Sequence, residues 1–467
     1  MIEMTPFLDR NSEKPLYMQL SNYIKQEILS GRIKSNEKLP SKRSLAQYLG
    51  ISVNTVLAAY DQLSAEGFIV SKPRQGLYAA VIEEELEFDY PYSQPFLIEE
   101  EKETNRVLID FNSGKVDLVH FPYAIWRKLT IQSLYEDQGE LFYNGNRQGE
   151  RVLREQIAKY LFASKGVRCS PDQIIIGAGT QMLIGLLGMI IGKEQIYALE
   201  DPGFHRTRMV LQDLGVRTIP IDLDSDGINL SKLKQSNASV VYVTPSHQFP
   251  YGMIMPISRR MELLKWAEEN DGYIIEDDYD GEYRYKGNPI PSLQGLDGKG
   301  KVIYLGTFSK SLIPSLRISY MVLPPILLER YRKHFTIYKQ TASRLHQQTL
   351  YYFMKDGYWQ SHLNKMRTLY RKKHALLMSS VEKYFGKNVN VIGADSGLHI
   401  VLEIKKQIGE APLIESAIAS GVKVYPLSTY FHDTQGSPDS KILLGFGGLT
   451  EFEIDRGIQL LKAAWGF

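Results

Sequence analysis

Five short apolar runs, separated by segments of helical length, most constrain what this chain can fold into. Helical periodicity is clear in intervening segments such as Gly149–Ser164 and Ser258–Asn270. Uninterrupted Val and Ile runs between helices are typical of parallel strands covered on both faces. The sequence therefore predicts an α/β domain with a mostly parallel sheet over residues 107–467. The five runs are Ile174–Ile176, Ile196–Leu199, Val240–Val243, Tyr273–Ile275 and Val302–Leu305.

Polar and glycine-rich motifs follow these runs, at the strand ends where open parallel sheets bind their ligands. The first motif precedes a helix, so its backbone N–H groups would face an anion, although a tight turn explains it equally well. The second offers an aromatic ring that could lie flat on a cofactor, and the third is a polar loop. The residues of interest are Gly179 and Thr180 after the first run, Phe204 after the second, and His247 after the third.

A lysine among small hydroxyl residues follows the fifth run. Lys310 comes directly after Ser309, with Thr307 before them and Arg317 seven positions later. A lysine amine forms a Schiff base with a carbonyl cofactor. Hydroxyl and guanidinium groups are the donors that a phosphate needs. This stretch suggests a lysine that holds pyridoxal phosphate, although by itself it fits a surface lysine in a polar loop equally well.

An acidic motif follows the fourth run. Pyridoxal phosphate needs a carboxylate at its pyridine nitrogen, so that the ring can withdraw electrons, and a donor at its ring oxygen. Asp277 and Tyr279 can supply these groups. A metal site built from Asp277, Asp278 and Asp280 is the competing interpretation. Oxygen-rich metal loops usually alternate ligands with spacer residues, so we predict no metal site.

Residues 1–81 have the pattern of a winged helix-turn-helix. Apolar residues recur at helical spacing over Leu16–Leu29. Ser41 is a natural N-cap for a short helix that Gly50 ends, and Ser52 caps a third helix. Two strand-like runs, Gly67–Val70 and Gly76–Ala79, then flank a basic turn that would form the wing.

The charge of this segment favours DNA as its partner. The whole chain has a net charge of only +2, whereas residues 1–81 contain ten Lys and Arg against seven Asp and Glu. Cations placed on the second helix and the wing would face phosphates, and a small polar start to the third helix suits an approach to base edges. A helical protein-interaction module is the alternative. The predicted DNA contacts are Ser41, Lys42, Arg43, Ser52, Asn54, Thr55, Lys72 and Arg74.

Residues 82–106 are predicted to form an acidic linker. The segment 83–103 contains nine Asp and Glu and one lysine, with no helical or strand period. An extended charged connector is expected, and an acidic surface element of the second domain is the alternative. Cys169 is the only cysteine, which favours a reducing cytoplasm. The longest apolar run is too short to cross a bilayer, so no membrane partner is expected.

These motifs resemble known families. Leu39-Pro40-Ser41 with Arg43, followed by Val53-Asn54-Thr55-Val56, resembles the GntR-type winged helix. The motifs around His247, Asp277 and Lys310 resemble fold-type-I aminotransferases, and the whole chain is similar to the MocR/GabR family, which fuses the two. The resemblance implies pyridoxal phosphate on Lys310, Asp277 at the ring nitrogen, Tyr279 and His247 near the ring, and Phe204 stacked on it. It places Gly179, Thr180, Thr307, Ser309 and Arg317 around the phosphate, with Tyr143 reaching the phosphate of the other subunit.

The resemblance also implies a function. Family members are homodimers with swapped DNA-binding arms, which bind promoter half-sites in response to a small amine, an amino acid or pyridoxal phosphate through the imine at Lys310. The aminotransferase-like domain would then serve for sensing rather than catalysis. Two alternatives stay open: an active aminotransferase with an accessory DNA-binding domain, and a dimerising relic without cofactor.

One position departs from the family pattern. Gly448 stands where an arginine that binds the substrate carboxylate is expected, which leaves Arg206 as the predicted effector contact. GABA therefore becomes a doubtful effector. Further along the chain, the cations of residues 367–374 predict a solvated helix face, with a second DNA-phosphate surface as the alternative. They are Arg367, Arg371, Lys372, Lys373 and His374.

Overall fold

A computed structural model describes residues 6, 8–10, 12, 14–81, 107–136, 139–285, 291–406, 408–433 and 440–467. The chain divides into two compact units, Met1–Lys102 and Glu103–Phe467, each considered by itself. The predicted acidic linker, residues 82–106, lies outside the described residues. None of the described helices combines the length and the apolar character needed to cross a membrane.

The first unit contains three helices and a two-stranded antiparallel sheet. Ser41 and Ser52 cap the second and third helices, because their side chains accept hydrogen bonds from the backbone N–H groups of Ser44 and Thr55. Gly50 ends the second helix with φ 63°, as predicted. The predicted elements are confirmed, although the first strand of the wing begins and ends two residues later than expected. They are α1 Leu16–Leu29, α2 Lys42–Leu49, α3 Val53–Ala65, β1 Ile69–Lys72 and β2 Gly76–Ala79.

The second unit begins with the elements of an α/β domain. All five predicted apolar runs are strands. In chain order, the first part contains β3 Ile109–Asp110, α4 Tyr123–Glu136, α5 Arg151–Lys165, β4 Ile174–Gly177, α6 Thr180–Ile191, β5 Ile196–Asp201, α7 His205–Asp213, β6 Arg217–Asp224, β7 Gly227–Ile228, α8 Leu230–Gln235, β8 Val240–Val243, α9 Ile257–Glu269, β9 Tyr273–Asp278, α10 Leu293–Leu296, β10 Val302–Thr307 and β11 Ser319–Val322.

Eight of these strands form one sheet in the order β4-β11-β10-β9-β8-β5-β6-β7. The four pairings from β10 to β6 are parallel, whereas β11 and β7 run antiparallel to their neighbours. The predicted mostly parallel sheet is thus confirmed. The carboxyl ends of β5, β8, β9 and β10 lie at one edge, as parallel pairing requires.

The second unit ends with a smaller antiparallel sheet and its helices. Strands β12, β13, β16 and β15 lie side by side in that order, while β14 pairs with β3 near the start of the unit. The sequence prediction did not identify this sheet. Its elements are α11 Pro325–His334, α12 Arg344–Lys355, α13 Tyr358–Phe385, β12 Val389–Ile392, β13 His399–Ile404, α14 Glu410–Ala419, β14 Val422–Lys423, β15 Tyr425–Pro426, β16 Lys441–Gly445 and α15 Glu451–Ala464.

Helix α13 joins the hydrophobic cores of the two sheets. Trp359 and Leu363 pack into the core beside the large sheet, and Met366, Tyr370 and Leu377 pack into the core of the small one. A single helix with both contacts ties the relative position of the two sheets to its own position.

The prediction of a solvated basic face on this helix, over residues 367–374, is wrong in part. Lys373 is buried, and its Nζ lies 2.7 Å from Asp117 Oδ2 and donates to the carbonyl of Gly447. His374 stacks on Tyr285 at 4.2 Å. A buried lysine persists because it is paired, so only Arg371 and Lys372 of the five cationic positions are exposed.

Candidate functional site

Lys310 follows β10, the strand beside β9, at the edge of the large sheet. Its amine donates to the backbone carbonyl of Ser113, from the segment after β3. Burial lowers the pKa of this amine to about 8, although the charge of Asp280 raises it and that of Arg206 lowers it further. About a tenth of Lys310 is therefore neutral, and hence nucleophilic, at pH 7, far more than for a lysine with the ordinary pKa.

Asp277 lies near the end of β9 and is buried. One carboxylate oxygen accepts a hydrogen bond from the hydroxyl of Tyr242, on the neighbouring strand β8. The other oxygen, Oδ1, has no hydrogen-bond partner among the described residues. Burial raises the pKa of Asp277 to about 7, with Asp278 and Asp280 contributing in the same direction. A cationic donor at Oδ1 would restore the charged form.

Tyr279 follows the same strand and joins a buried network. Its hydroxyl lies 2.8 Å from Nδ1 of His247, and that nitrogen is 2.9 Å from Oδ1 of Asp280. His399 lies beside His247, and burial lowers its pKa to about 3, so it is neutral. His247 is thus positioned by Asp280, and its Nε2 has no partner among the described residues.

The acidic run at the end of β9 does not form one shared cluster. Asp277 pairs with Tyr242, Asp278 with Lys165 at 2.7 Å, and Asp280 with His247. Successive strand residues point to opposite faces, which separates the first two carboxylates. The metal interpretation of this run therefore has no common ligand centre. The ligand atoms of His247, Asp280 and His399 lie within 4.8 Å of one another, but Nδ1 of His247 is already engaged.

A compact anion cradle lies at the start of α6. Gly179 has φ 95°, and an added Cβ would come within 2.6 Å of Cζ of Arg317, so the guanidinium lies directly over this backbone. Thr180 is the first residue of the helix, whose N-terminal N–H groups favour an anion. Arg317 itself has φ 52°, a left-handed conformation that is uncommon for arginine.

Hydroxyl groups after β10 form a small network near Lys310. Thr307 donates to Oγ of Ser309 at 3.1 Å and accepts from the hydroxyl of Ser319 at 2.8 Å. Short hydroxyl side chains with several partners are pre-organised donors. The structure thus brings Thr307, Ser309 and Lys310 together at one strand end.

Phe204 lies at the N-terminus of α7 and stacks on Phe249, with ring centroids 4.2 Å apart and planes 4° from parallel. One face of Phe204 is therefore occupied, and a cofactor stack would need the other. Arg206 is exposed on the first turn of the same helix. Burial lowers the pKa of Lys310 and the charge of Arg206 lowers it further, which places Arg206 within electrostatic reach of the lysine.

Two predicted positions lie at the margin of this site. Gly448 is exposed, and an added Cβ would lie 2.6 Å from Cβ of Lys115, so the side chain of Lys115 occupies the space beside it. Lys115 pairs with Asp110 at 2.8 Å. Tyr143 is 71% exposed; its backbone carbonyl accepts from Arg344 and its backbone N–H donates to Glu140. Its predicted contact requires a second subunit.

Several residues of the site were missed by sequence reasoning. Glu200 is buried at the end of β5, accepts from the hydroxyl of Thr244, and has its pKa raised to about 7 by burial. Its position at a strand end was a usable signal, as it was for Asp277. Ser113, Tyr242 and Phe249 had no such signal, because only the fold brings them to this edge.

The residues present fit pyridoxal phosphate. The unpartnered oxygen of Asp277 suits a protonated ring nitrogen. The absence of a Cβ at Gly179 leaves room for the guanidinium of Arg317, which suits the phosphate. Lys310 supplies an amine whose pKa burial lowers to about 8. These observations are independent, and each matches a different part of the cofactor.

The predicted DNA contacts of the first unit are mostly exposed. Ser41 and Ser52 serve as helix caps, and Thr55 bonds Ser52 Oγ at 2.8 Å. Lys72 lies over the ring of Tyr78 at 4.4 Å, which holds it against the wing. Lys42 is half-buried, and the remaining three are open to solvent: Arg43, Asn54 and Arg74. They lie on α2, on the first turn of α3 and at the tip of the wing.

Comparison with protein families gives a match for each unit. Residues 106–437 match the family model described as aminotransferase class I and II. Residues 16–78 match the model of bacterial regulatory proteins of the gntR family. The two matches together extend over most of the chain.

Several relatives align with this chain over almost its whole length. The chain is 48% identical over 466 residues to the uncharacterised HTH-type transcriptional regulator YdeL of Bacillus subtilis, covering 99% of this chain and 100% of the relative. It is 32% identical to the probable rhizopine catabolism regulatory protein MocR of Rhizobium meliloti, covering 98% and 95%. It is 30% identical to the pyridoxine biosynthesis regulator PdxR of Corynebacterium glutamicum, covering 93% and 92%.

Solved aminotransferases share the fold of the second unit. The kynurenine aminotransferase of Pyrococcus horikoshii aligns with a TM-score of 0.69 and 27% identity, over 78% of this chain and 91% of that one. The sequence similarity of the relatives and this structural match therefore agree on the architecture of the second unit.

Proposed function

The chain belongs to the MocR-type family of transcriptional regulators, in which a gntR-type helix-turn-helix segment precedes an aminotransferase class I and II domain, and we propose that it controls transcription by sensing a small amine, an amino acid or pyridoxal phosphate at Lys310. The observation that carries this proposal is the half-buried Lys310, whose amine donates to the carbonyl of Ser113 at the same sheet edge as the unpartnered oxygen of Asp277. A surface lysine would have no such surroundings.

The second unit supplies each group that a cofactor sensor needs. Bound pyridoxal phosphate would supply a carbonyl that reacts with amines and a ring that withdraws electrons. Lys310 offers the competing amine, and Asp277 holds a positive charge at its free oxygen. Arg317 and the N-terminus of α6 bind the phosphate. Tyr279, His247 and Asp280 form a hydrogen-bonded network that fixes the tyrosine hydroxyl.

The carboxylate contacts narrow the class of effector. Arg206 is the one cation that we assign to an effector carboxylate, because Gly448 provides no side chain and Lys115 covers it. A single exposed arginine orients a carboxylate less firmly than two. This favours pyridoxal phosphate itself or an amino acid other than GABA. The relative PdxR is named as a regulator of pyridoxine biosynthesis, which supports the first choice.

The response to an effector rests on differential binding. A ligand shifts DNA binding only when its affinity for the DNA-competent arrangement differs from its affinity for the other arrangement. The coupling free energy is typically about 1–3 kcal/mol. We propose a homodimer with swapped arms that binds paired promoter half-sites, because a two-fold protein matches a two-fold operator. Exposed Arg43, Asn54 and Arg74 would contact the DNA.

A footprint of the DNA upstream of the gene tests this proposal. The full-length protein and the Lys310→Ala variant are compared with pyridoxal phosphate, D-alanine or GABA, and with no addition. We expect protection of two half-sites by both proteins and a ligand-dependent change in the wild type alone. An identical ligand response in the two proteins would show that Lys310 does not read the ligand.

An active aminotransferase is the second candidate, favoured by the solved kynurenine aminotransferase at 27% identity and by the residues at the sheet edge that fit pyridoxal phosphate. Sustained turnover of an amino acid with a 2-oxo acid acceptor would support it. A single half-reaction without turnover would favour the sensor.

A further inference from the structure

A second cavity, of about 710 Å³, lies in the second unit away from the Asp277 site. Lys165 lines it and pairs with Asp278 at 2.7 Å. Asp277 and Asp278 are neighbours on β9 and point to opposite faces of the sheet. The cavity therefore lies across the sheet from Asp277, and its volume is typical of small-molecule sites.

The walls of this cavity carry a strong positive charge. Among the described ion pairs, none involves Lys159, Arg367 or Arg371. Burial raises the pKa of Glu282, which favours its neutral form. Three cationic side chains without a described ion pair therefore line the cavity beside a carboxyl group whose pKa is raised, and the site favours an anion. The charged lining residues are Lys159, Lys165, Glu282, Arg284, Arg367 and Arg371.

Buried polar atoms in the same walls have no partner among the described residues. Trp359 and Ser396 are each 4% exposed, and their Nε1 and Oγ atoms make no hydrogen bond. Oε2 of Glu282 is also unpartnered, whereas its other oxygen accepts from Tyr160 at 3.0 Å. An indole N–H can only donate. The indole N–H and the serine hydroxyl call for a ligand with acceptor oxygens.

We propose that this cavity binds a small organic oxyanion, carrying carboxylate or phosphate groups, as a second ligand distinct from the cofactor. The charge and the unpartnered donors point to the same chemistry independently. The inference does not depend on the function proposed for Lys310.

The location gives such a ligand a means of regulation. Trp359, on the first turn of α13, and Arg371, three turns later, both line the cavity. These turns belong to the parts of α13 that pack into different cores. An anion between them would fix the relative position of the two sheets. Lys165 connects the same cavity to Asp278, whose charge raises the pKa of Asp277.

Calorimetric titration of the full-length protein with citrate and with inorganic phosphate tests the inference at constant ionic strength. We expect saturable binding of at least one anion, and the stronger one identifies carboxylate or phosphate as the recognised group. Arg371→Gln should weaken it at least about tenfold, and Trp359→Phe, which keeps the ring but removes the N–H donor, should weaken it severalfold. Lys372→Gln is the matched control, because Lys372 is exposed beside Arg371 but does not line the cavity.

Three outcomes would overturn the inference. The first is the absence of saturable binding of either anion to the wild type at millimolar concentration. The second is an equal loss in Lys372→Gln, which would indicate general charge screening. The third is weakened DNA binding in Arg371→Gln while the affinity for citrate and phosphate is unchanged, which would make Arg371 a DNA contact instead. Binding that persists in Lys310→Ala would separate this site from the cofactor site, so each proposal can fail alone.

Discussion

The amine of Lys310 shows how burial prepares one side chain for chemistry. Removing a charged amine from water costs free energy, so the neutral form is favoured and the pKa falls to about 8. Between that pKa and the value near 10.5 of an exposed lysine, the unfolded chain binds more protons than the folded one. This residue's contribution to the free energy of unfolding therefore rises with pH across that window.

The first prediction follows from this pKa. Uptake of pyridoxal phosphate by the cofactor-free protein should rise with pH, with a midpoint near 8 rather than 10.5, because only the neutral amine reacts. Arg206→Gln should move the midpoint upward, since the neighbouring cation disfavours the charged amine. Stopped-flow absorbance at several pH values measures it. A midpoint unchanged from that of free lysine would contradict the assignment of Lys310.

The second prediction concerns Gly448. Replacing it by arginine should not create a carboxylate site, because the new Cβ would lie 2.6 Å from Cβ of Lys115. We expect Gly448→Arg to lower Tm by several degrees, an overpacking cost of about 1–3 kcal/mol. Lys115→Gly, which removes the Cβ that the new side chain would meet, should relieve much of the steric loss in the double variant. Additive losses in thermal unfolding would show that the two side chains do not compete.

At the scale of the element, the start of α6 and the middle of α13 each depend on a close contact between parts distant in sequence. Gly179 and Arg317 are 138 positions apart by their numbers, yet the guanidinium lies against the glycine backbone. Lys373 on α13 similarly reaches Asp117 near the start of the unit. Elements positioned in this way tolerate little change at the contact.

The third prediction uses two glycines near the start of one helix. Gly179→Ala should weaken binding of pyridoxal phosphate at least about tenfold, because the methyl group would displace Arg317 and the backbone has φ 95°. Gly185→Ala, within the same helix, meets only Val210 at 3.8 Å and should leave affinity unchanged. Fluorescence titration compares them. Equal affinities of the two variants for pyridoxal phosphate would show that Gly179 and Arg317 do not bind its phosphate.

The fourth prediction concerns the buried ion pair of α13. Lys373→Ala leaves the Asp117 carboxylate buried without its cation, and should lower the free energy of unfolding by about 3–5 kcal/mol. Lys372→Ala, on the exposed side, should change it by less than about 0.5 kcal/mol. Urea unfolding measures both. Similar small effects would mean that Lys373 is solvated, as the sequence had suggested.

At the scale of the whole molecule, the chain joins two units of different chemistry. The first exposes cations on a small scaffold, and the second encloses titratable groups in a large α/β fold. DNA contacts through phosphates are sensitive to salt, because each neutralised phosphate releases counterions. Cofactor binding at a buried site is much less sensitive to salt. DNA binding and cofactor binding can therefore be separated experimentally by varying the salt concentration.

The fifth prediction tests the DNA surface. Arg43→Ala in the full-length protein should weaken operator binding and reduce the slope of log affinity against log salt by about one. Lys25→Gln is the control, because Lys25 pairs with Glu66 at the far end of α3. Pyridoxal phosphate binding should be unaffected in both. An unchanged salt slope in Arg43→Ala would remove this arginine from the phosphate contacts.

The extent of prediction from sequence differed between near and distant contacts. Local signals located the caps at Ser41 and Ser52 and the strand before Lys310, because capping and periodicity are properties of neighbouring residues. The small antiparallel sheet was missed, since its pairing of β13 with β16 joins distant segments. The burial of Lys373 was missed for the same reason: helical spacing does not reveal which face meets Asp117.

The sequence alone determined the order of elements, the two-part organisation of the family and the chemistry available at each strand end, because residue type and spacing encode these directly. Only the tertiary structure decided that Tyr242 meets Asp277, that Arg317 lies over Gly179 and that Lys115 covers Gly448. The physical reason is that the environment of a buried charge is set by segments far apart in the chain, and these meet only when the cores have packed.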